Sequence, residues 1–199
     1  MGKLLVLVNG LPGSGKSTLG RALARTLAAE FLSKDTVKEA LAGCVTDIDA
    51  VPEIGGIAMD AVWALARAAP RDVVVIDSWW FRPRDLRFAE AGIETVAPER
   101  IVEVWCEVPV GVARSRYAGR RRAALHRDEL RLAADWDSWA EQATPLGIGP
   151  VVVVDTTRPV DCAELAIRIG RVAARPAFGS GAAGHRPAPG GAEARNTIA

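Results

Sequence analysis

Gly10-Leu11-Pro12-Gly13-Ser14-Gly15-Lys16-Ser17-Thr18 fits the spacing GxxxxGK[ST], a run of residue types that can hold a polyphosphate. Small residues at 10, 13 and 15 let the backbone curl until successive N–H groups point inward. A polyphosphate can accept them there, at the positive end of a helix. Lys16 adds a full charge where the β and γ phosphates would lie, and the Ser17 hydroxyl is placed to ligate Mg²⁺. The flanks give the pattern its weight. Lys3 to Asn9 is an apolar run that reads as a buried parallel strand, and a helical stripe of Leu19, Ala22, Leu23, Thr26 and Leu27 follows.

Three further constellations carry chemistry. Asp35, within Leu32-Ser-Lys-Asp-Thr-Val-Lys-Glu-Ala-Leu41, can cap a helix beginning at Thr36 and can also orient and deprotonate a hydroxyl for in-line attack. Asp77 closes a hydrophobic run and is suited to hold the hydration shell of Mg²⁺ beside Ser17. Directly after it, Trp79, Trp80 and Phe81 either close the core or form an apolar wall for a substrate ring, with Arg82 or Arg84 for a polar group. In the arginine-rich stretch from Arg114 to Arg127, Arg116 and Arg120 share one helical face. Arg120 or Arg121 is expected at the transferring phosphate and Arg116 near the adenine or phosphates, the remaining arginines being a solvated face. A mobile segment there, about 114–130, would fold over a bound nucleotide and exclude water.

These groups need a scaffold, and the chain supplies alternating signals for one. Strands are predicted at 3–9, 30–34, 72–77, 101–107 and 150–155, with helices at 16–29, 35–43, 54–69, 83–91, 111 to about 140, and 160–174. That alternation predicts βαβ units and a parallel sheet covered on both faces, with ligands at the carboxyl ends of the strands. Segments 44–60 and 78–90 are the least patterned and are expected to meet the substrate. With 199 residues, 49% of them hydrophobic, the chain can bury one core, and a single domain over 1–174 is expected. Residues 175–199 are dense in Gly, Pro and Ala without apolar period and predict a disordered tail.

Twenty-five Lys plus Arg against 24 Asp plus Glu leave a formal charge of +1, so no nucleic-acid or membrane partner is expected. Cys44, Cys106 and Cys162 are dispersed and odd in number, and the two histidines, His126 and His185, lie apart from them. This predicts reduced, non-metal thiols in a cytoplasmic protein, with Cys106 a core residue. No stretch approaches the length of a membrane span.

Taken together, the loop from Gly10 to Thr18, Asp35 in Ser-Lys-Asp-Thr-Val-Lys-Glu, Asp77 after its hydrophobic run, the arginines from Arg116 to Arg122 and Val-Asp155-Thr-Thr-Arg-Pro-Val-Asp161 resemble small P-loop kinases of the chloramphenicol phosphotransferase and zeta-toxin-like group. The resemblance spans about residues 1–174. It implies an α/β P-loop NTPase fold with a five-stranded parallel sheet of order 2-3-1-4-5, an arginine-rich lid, ATP and Mg²⁺ dependence, and a base at Asp35. It also implies that Asp155 to Arg158, with Thr157 and Arg158, border the adenine. The filling Leu-Pro-Gly-Ser departs from the Ser-Ser-Ala type of the chloramphenicol enzyme, and the Trp79-Trp80-Phe81 cluster has no counterpart to carry over.

A guanine-reading Asn-Lys-x-Asp and an Asp-x-x-Gly after the third strand are both missing, which argues against a GTPase switch. The expected activity is ATP-dependent transfer of the γ-phosphoryl group to a hydroxyl of a small molecule: an antibiotic, an aminosugar, a nucleoside or a related metabolite. The alternatives are a nucleotide or polynucleotide 5′-end kinase and a non-catalytic ATP-binding regulator.

Overall fold

Five parallel strands pair in the order β2-β3-β1-β4-β5, namely β1 (Leu4–Asn9), β2 (Glu30–Ser33), β3 (Val73–Asp77), β4 (Arg100–Glu107) and β5 (Val151–Asp155). They belong to a computed structural model that describes residues 2–120, 123–126 and 128–174. The order is the expected one. β1 lies at the centre, where all six of its residues are buried, as a strand flanked by two others and covered on both faces requires.

The pleat divides β1 between two cores. Leu4, Val6 and Val8 pack with Leu19 and Leu23 of α1 (Lys16–Thr26) and with Leu165 and Ile169 of a C-terminal helix, Cys162–Ala173. On the opposite face Leu5 and Leu7 meet Val74, Ile76, Val62, Trp63 and Ile93. The last three come from α3 (Ile54–Ala68) and α4 (Arg82–Val96), while α2 (Lys34–Ala42) precedes α3 along the chain. A third, smaller core joins Leu11 of the first loop to Ala113, Tyr117, Trp136 and Trp139. It is built from α5 (Val110–Ala118), α6 (Asp128–Ala134) and α7 (Trp136–Gln142), with a short 3₁₀ turn at Ala124–His126; the C-terminal helix is α8.

Three sequence expectations need correction. The helix expected from 111 to about 140 is broken into these shorter pieces, the first ending at Gly119. The break lets Trp136 stack on Tyr117 at 5.9 Å, which one straight helix would forbid. Helix α4 runs past the expected end at 91 as far as Val96, because Gly92 is a packing residue: a Cβ there would run into the Trp63 indole. Helix α2 starts at Lys34, which places Asp35 in its first turn and Ser33 at the cap position. Ser33 makes no capping bond because its hydroxyl donates to Asp77 instead, at 3.2 Å.

One buried network ties the sheet to the loops above it. Glu103, 1% exposed on β4, accepts from Asn9 Nδ2 (3.0 Å) and from the backbone N–H groups of Leu146 (2.9 Å) and Gly147 (3.0 Å). Asn9 Oδ1 in turn accepts from the N–H groups of Gly10 (2.8 Å) and Trp80 (3.1 Å). Every oxygen of this buried carboxylate has a donor, which its burial demands.

Candidate active site

The loop between β1 and α1 wraps the helix N-terminus. Gly13 and Gly15 take φ of +87° and +88°, and a Cβ on Gly13 would overlap the Ala113 carbonyl. No side chain caps α1, so the N–H groups of its first turn face the loop with the helix dipole behind them. Across this loop lies Lys16, 6% exposed, its Nζ donating to the carbonyls of Gly10 (2.8 Å) and Leu11 (2.9 Å) and standing 5.8 Å from the Trp79 ring. Burial pulls its pKa down to about 8, against the opposing attraction of Asp77. A phosphate ligand needs the charged form. Affinity for ATP should therefore fall above about pH 8, by up to about tenfold per pH unit, in calorimetric titrations between pH 7 and 9.5. A flat profile would show that Lys16 does not contact the phosphates.

Asp77, at the end of β3 and 4% exposed, accepts from the Ser33 hydroxyl at 3.2 Å and shares the cleft with Ser17. Burial raises its pKa, and Lys16 and the Ser17 and Ser33 hydroxyls only partly offset this. A hydroxyl and a carboxylate are hard oxygen ligands and suit Mg²⁺. Among the described residues no three His, Cys, Asp or Glu gather to hold a metal unaided, so an ion here would draw its remaining ligands from phosphate and water.

A folded pKa above the unfolded one means that Asp77's contribution to stability is complete below the unfolded value and lost as pH rises through the folded value. Asp77→Asn should therefore raise the ligand-free Tm at pH 7. The gain should shrink towards pH 3 and be accompanied by loss of Mg²⁺-dependent nucleotide affinity. Melts across pH on both proteins check this.

Asp35 lines the same cleft of about 110 Å³ as Lys16, Ser17, Asp77 and Arg120. Its Oδ1 is 3.8 Å from Nδ1 of His126, whose Nε2 lies 2.8 Å from Glu39. One turn along, Lys38 Nζ donates to the Leu125 carbonyl at 3.0 Å, so α2 and the turn at 124–126 are fastened together at two points. Cys106, behind the loop, is 2% exposed and burial pushes its thiol up to about 12, as expected of a core residue.

On the other side of the loop, the Thr156 hydroxyl donates to the Ser14 carbonyl at 2.6 Å. Arg116 reaches the Thr156 and Thr157 carbonyls at 3.2 and 3.4 Å, while Thr157 is bonded to Asp155. Arg158 is exposed, 3.9 Å from Asp155. Arg116, Thr157 and Arg158 thus gather beside the loop, away from Asp35. Arg120 lines the cleft and lies 5.9 Å from the Tyr117 ring, whereas Arg121 and the tail 175–199 lie outside the described residues.

The substrate-wall residues separate. Trp79 borders the cleft beside Lys16 and meets Trp139 edge-on at 6.0 Å. Trp80 is 3% exposed and stacks on Trp63 in the core beneath. Arg82 is turned from the cleft to donate to the Leu146 carbonyl at 3.0 Å, and Arg84 takes the place expected of it. Sequence reasoning missed Lys34, His126 and Arg131, which line the cleft too, whereas Ser78 falls in the segment 78–90 expected to meet the substrate. Lys34 and His126 flank Asp35, in sequence or in space; nothing local marks Arg131.

A glycine-rich loop between the central strand and a helix, with Asp77 on the adjacent strand, defines a P-loop α/β protein. More particularly, the chain belongs to the AAA domain family, whose model matches residues 5–146. Among solved structures, a candidate kinase from Chloroflexus aurantiacus is 25% identical with a TM-score of 0.67, over 85% of this chain and 94% of that one. A gluconokinase from Sinorhizobium meliloti (23% identical, TM-score 0.51, covering 84% and 92%) and a shikimate kinase from Acinetobacter baumannii (18%, 0.50, covering 84% and 90%) share the fold. An uncharacterized protein of Mycobacterium tuberculosis, Rv2004c, is 31% identical over 67% of this chain. The chain spans 30% of the length of that relative. Among the described residues no helix is long and apolar enough to cross a membrane.

Proposed function

We propose that the chain is an ATP-dependent kinase that transfers the γ-phosphoryl group to a hydroxyl of a small molecule. One observation carries this reading: Asp35 opens into the same cleft as Lys16, Ser17 and Asp77, at the carboxyl ends of β2, β1 and β3. The similarity to the Chloroflexus candidate kinase supports it, and the names gluconokinase and shikimate kinase on two fold neighbours fit it. Within the family, the motif around Asp35 and the arginine-rich stretch favour the group of chloramphenicol phosphotransferase and zeta toxins.

The loop from Gly10 to Thr18 would bind the phosphates through its backbone, with Lys16 at the β and γ positions. Ser17 and Asp77 would hold Mg²⁺, which would supply charge neutralisation at the transferring phosphate. Asp35 would accept the acceptor's proton as its oxygen bonds to the γ phosphorus, while the bond to the β-phosphate oxygen breaks and ADP leaves with the electron pair. Residues of the segment 114–130, Arg120 and Arg121 among them, would close over the transferring phosphate, and Arg116 with Thr157 and Arg158 would border the adenine. Residues 1–174 would form the kinase unit and 175–199 a tail.

The test has two readouts. Calorimetry with ATP and Mg²⁺ should show binding, and a mass-spectrometric screen of hydroxylated metabolites and antibiotics should find one that gains a phosphate group. Absence of any heat with ATP or GTP would overturn the proposal.

A further inference from the structure

A second cavity of about 590 Å³ opens between α3 and α4 and is continuous with the phosphate cleft, since Lys34, Gly55, Trp79, Arg84 and Arg131 border both. Its floor is apolar. Trp63 and Trp80 stack there with ring centroids 6.2 Å apart, Met59 adds a flexible side chain, and Phe88, 73% exposed, stands at the rim. Gly55 and Gly56 near the start of α3 line the hollow, and a Cβ on either would meet nothing within 4 Å. The volume suits a ring-bearing small molecule, and a polyol would press its hydroxyls against indole faces that cannot bond them.

The cavity's cationic side chains, Lys34, Arg84 and Arg131, all stand where the two spaces meet, whereas Asp60 and Asp85 line the cavity away from the cleft. Lys34 is half-buried and makes no hydrogen bond or ion pair among the described residues, and burial lowers its pKa. Arg131, exposed at the same junction, likewise has no such partner among the described residues, and Trp79 Nε1 is buried without an acceptor. Arg84, by contrast, is satisfied by two bonds to Asp85 at 2.6 and 2.7 Å. A half-buried ammonium and a second cation without protein partners at the junction favour an anion there, and a carboxylate has the acceptor capacity to serve both.

We infer that the phosphoryl acceptor is an alcohol with an apolar, ring-sized body and a carboxylate close to its hydroxyl. The ring enters between α3 and α4, the carboxylate meets Lys34 and Arg131, and the hydroxyl is presented to Asp35. This rests on the kinase reading of the cleft, but it can fail separately.

The experiment measures binding without ATP, by tryptophan fluorescence and calorimetry, of 3-phenyllactate, 3-phenylpropane-1,2-diol and gluconate. Phenyllactate should bind about tenfold or more tighter than the diol, and gluconate should not bind at millimolar concentration. Gly56→Phe, which fills open space in a helix, should abolish binding of both ring compounds and leave ATP affinity within about twofold. Met59→Trp provides a second plug should the first variant fold poorly. Lys34→Met should bring phenyllactate down to the affinity of the diol and leave the diol unchanged. Gluconate binding as tightly as phenyllactate, no binding of either ring compound, or a plugged protein that binds phenyllactate like the wild type would each overturn the inference. A wild type that binds phenyllactate but not ATP would instead sink the kinase reading.

Discussion

Replacing Lys16 by alanine should slow phosphoryl transfer by about three orders of magnitude or more while the protein stays folded. The ammonium is the one cation held inside the loop itself, and its charge is worth most on the transferring phosphate in a site where water is scarce. Truncation leaves the Gly10 and Leu11 carbonyls without that donor, a cost of about 1–3 kcal/mol, but it also removes a desolvated charge. The two effects oppose each other, so Tm should move little. Single-turnover transfer from labelled ATP, with thermal melts as the control, decides the matter. A rate within tenfold of wild type would mean that the loop does not act on the γ-phosphate.

The second large effect belongs to Asp35→Asn, which should keep ATP affinity within about twofold and lower kcat by about 10²–10⁴. Asparagine preserves the shape of the side chain, and the 2.8 Å contact of His126 with Glu39 does not depend on it, so the turn at 124–126 should stay fastened to α2. What is lost is the capacity to take a proton. The loss should therefore fall on kcat with the acceptor's KM little changed, and the acidic limb of the wild-type pH–rate profile should vanish. An unchanged rate with a verified acceptor would place the base elsewhere.

The loop from Gly10 to Thr18 was legible because all of its determinants are contiguous: glycines, lysine and serine sit within one turn of backbone between a strand and a helix. The sheet was legible too, since each strand is an apolar run, although the residues alone did not supply the strand order, which came from the resemblance. Direction was harder to read. Trp79 and Trp80 are neighbours in sequence, yet only Trp79 borders the phosphate cleft, while Trp80 packs into the core beneath the second cavity. Arg82 and Arg84 are two positions apart on a helix, about 200° around its axis, and whichever faces the cleft excludes the other. Lys34 and His126 escaped notice for another reason. The place of His126 beside Asp35 arises from the packing of α2 against a turn almost ninety residues later, and that of Lys34 from a cavity formed by α3 and α4; no local period records either.

The buried carboxylate of Glu103 has a consequence for how such a protein can diversify. Through Asn9 it holds the first amide of the phosphate loop and the backbone of Trp80, and through Leu146 it fixes the carbonyl that anchors Arg82. In the proposed kinase the span from the phosphate loop to the floor of the neighbouring hollow would thereby be set by the sheet, as if by a gauge block, and new acceptors would be accommodated by exchanging side chains at the helix ends with the distance of transfer held constant.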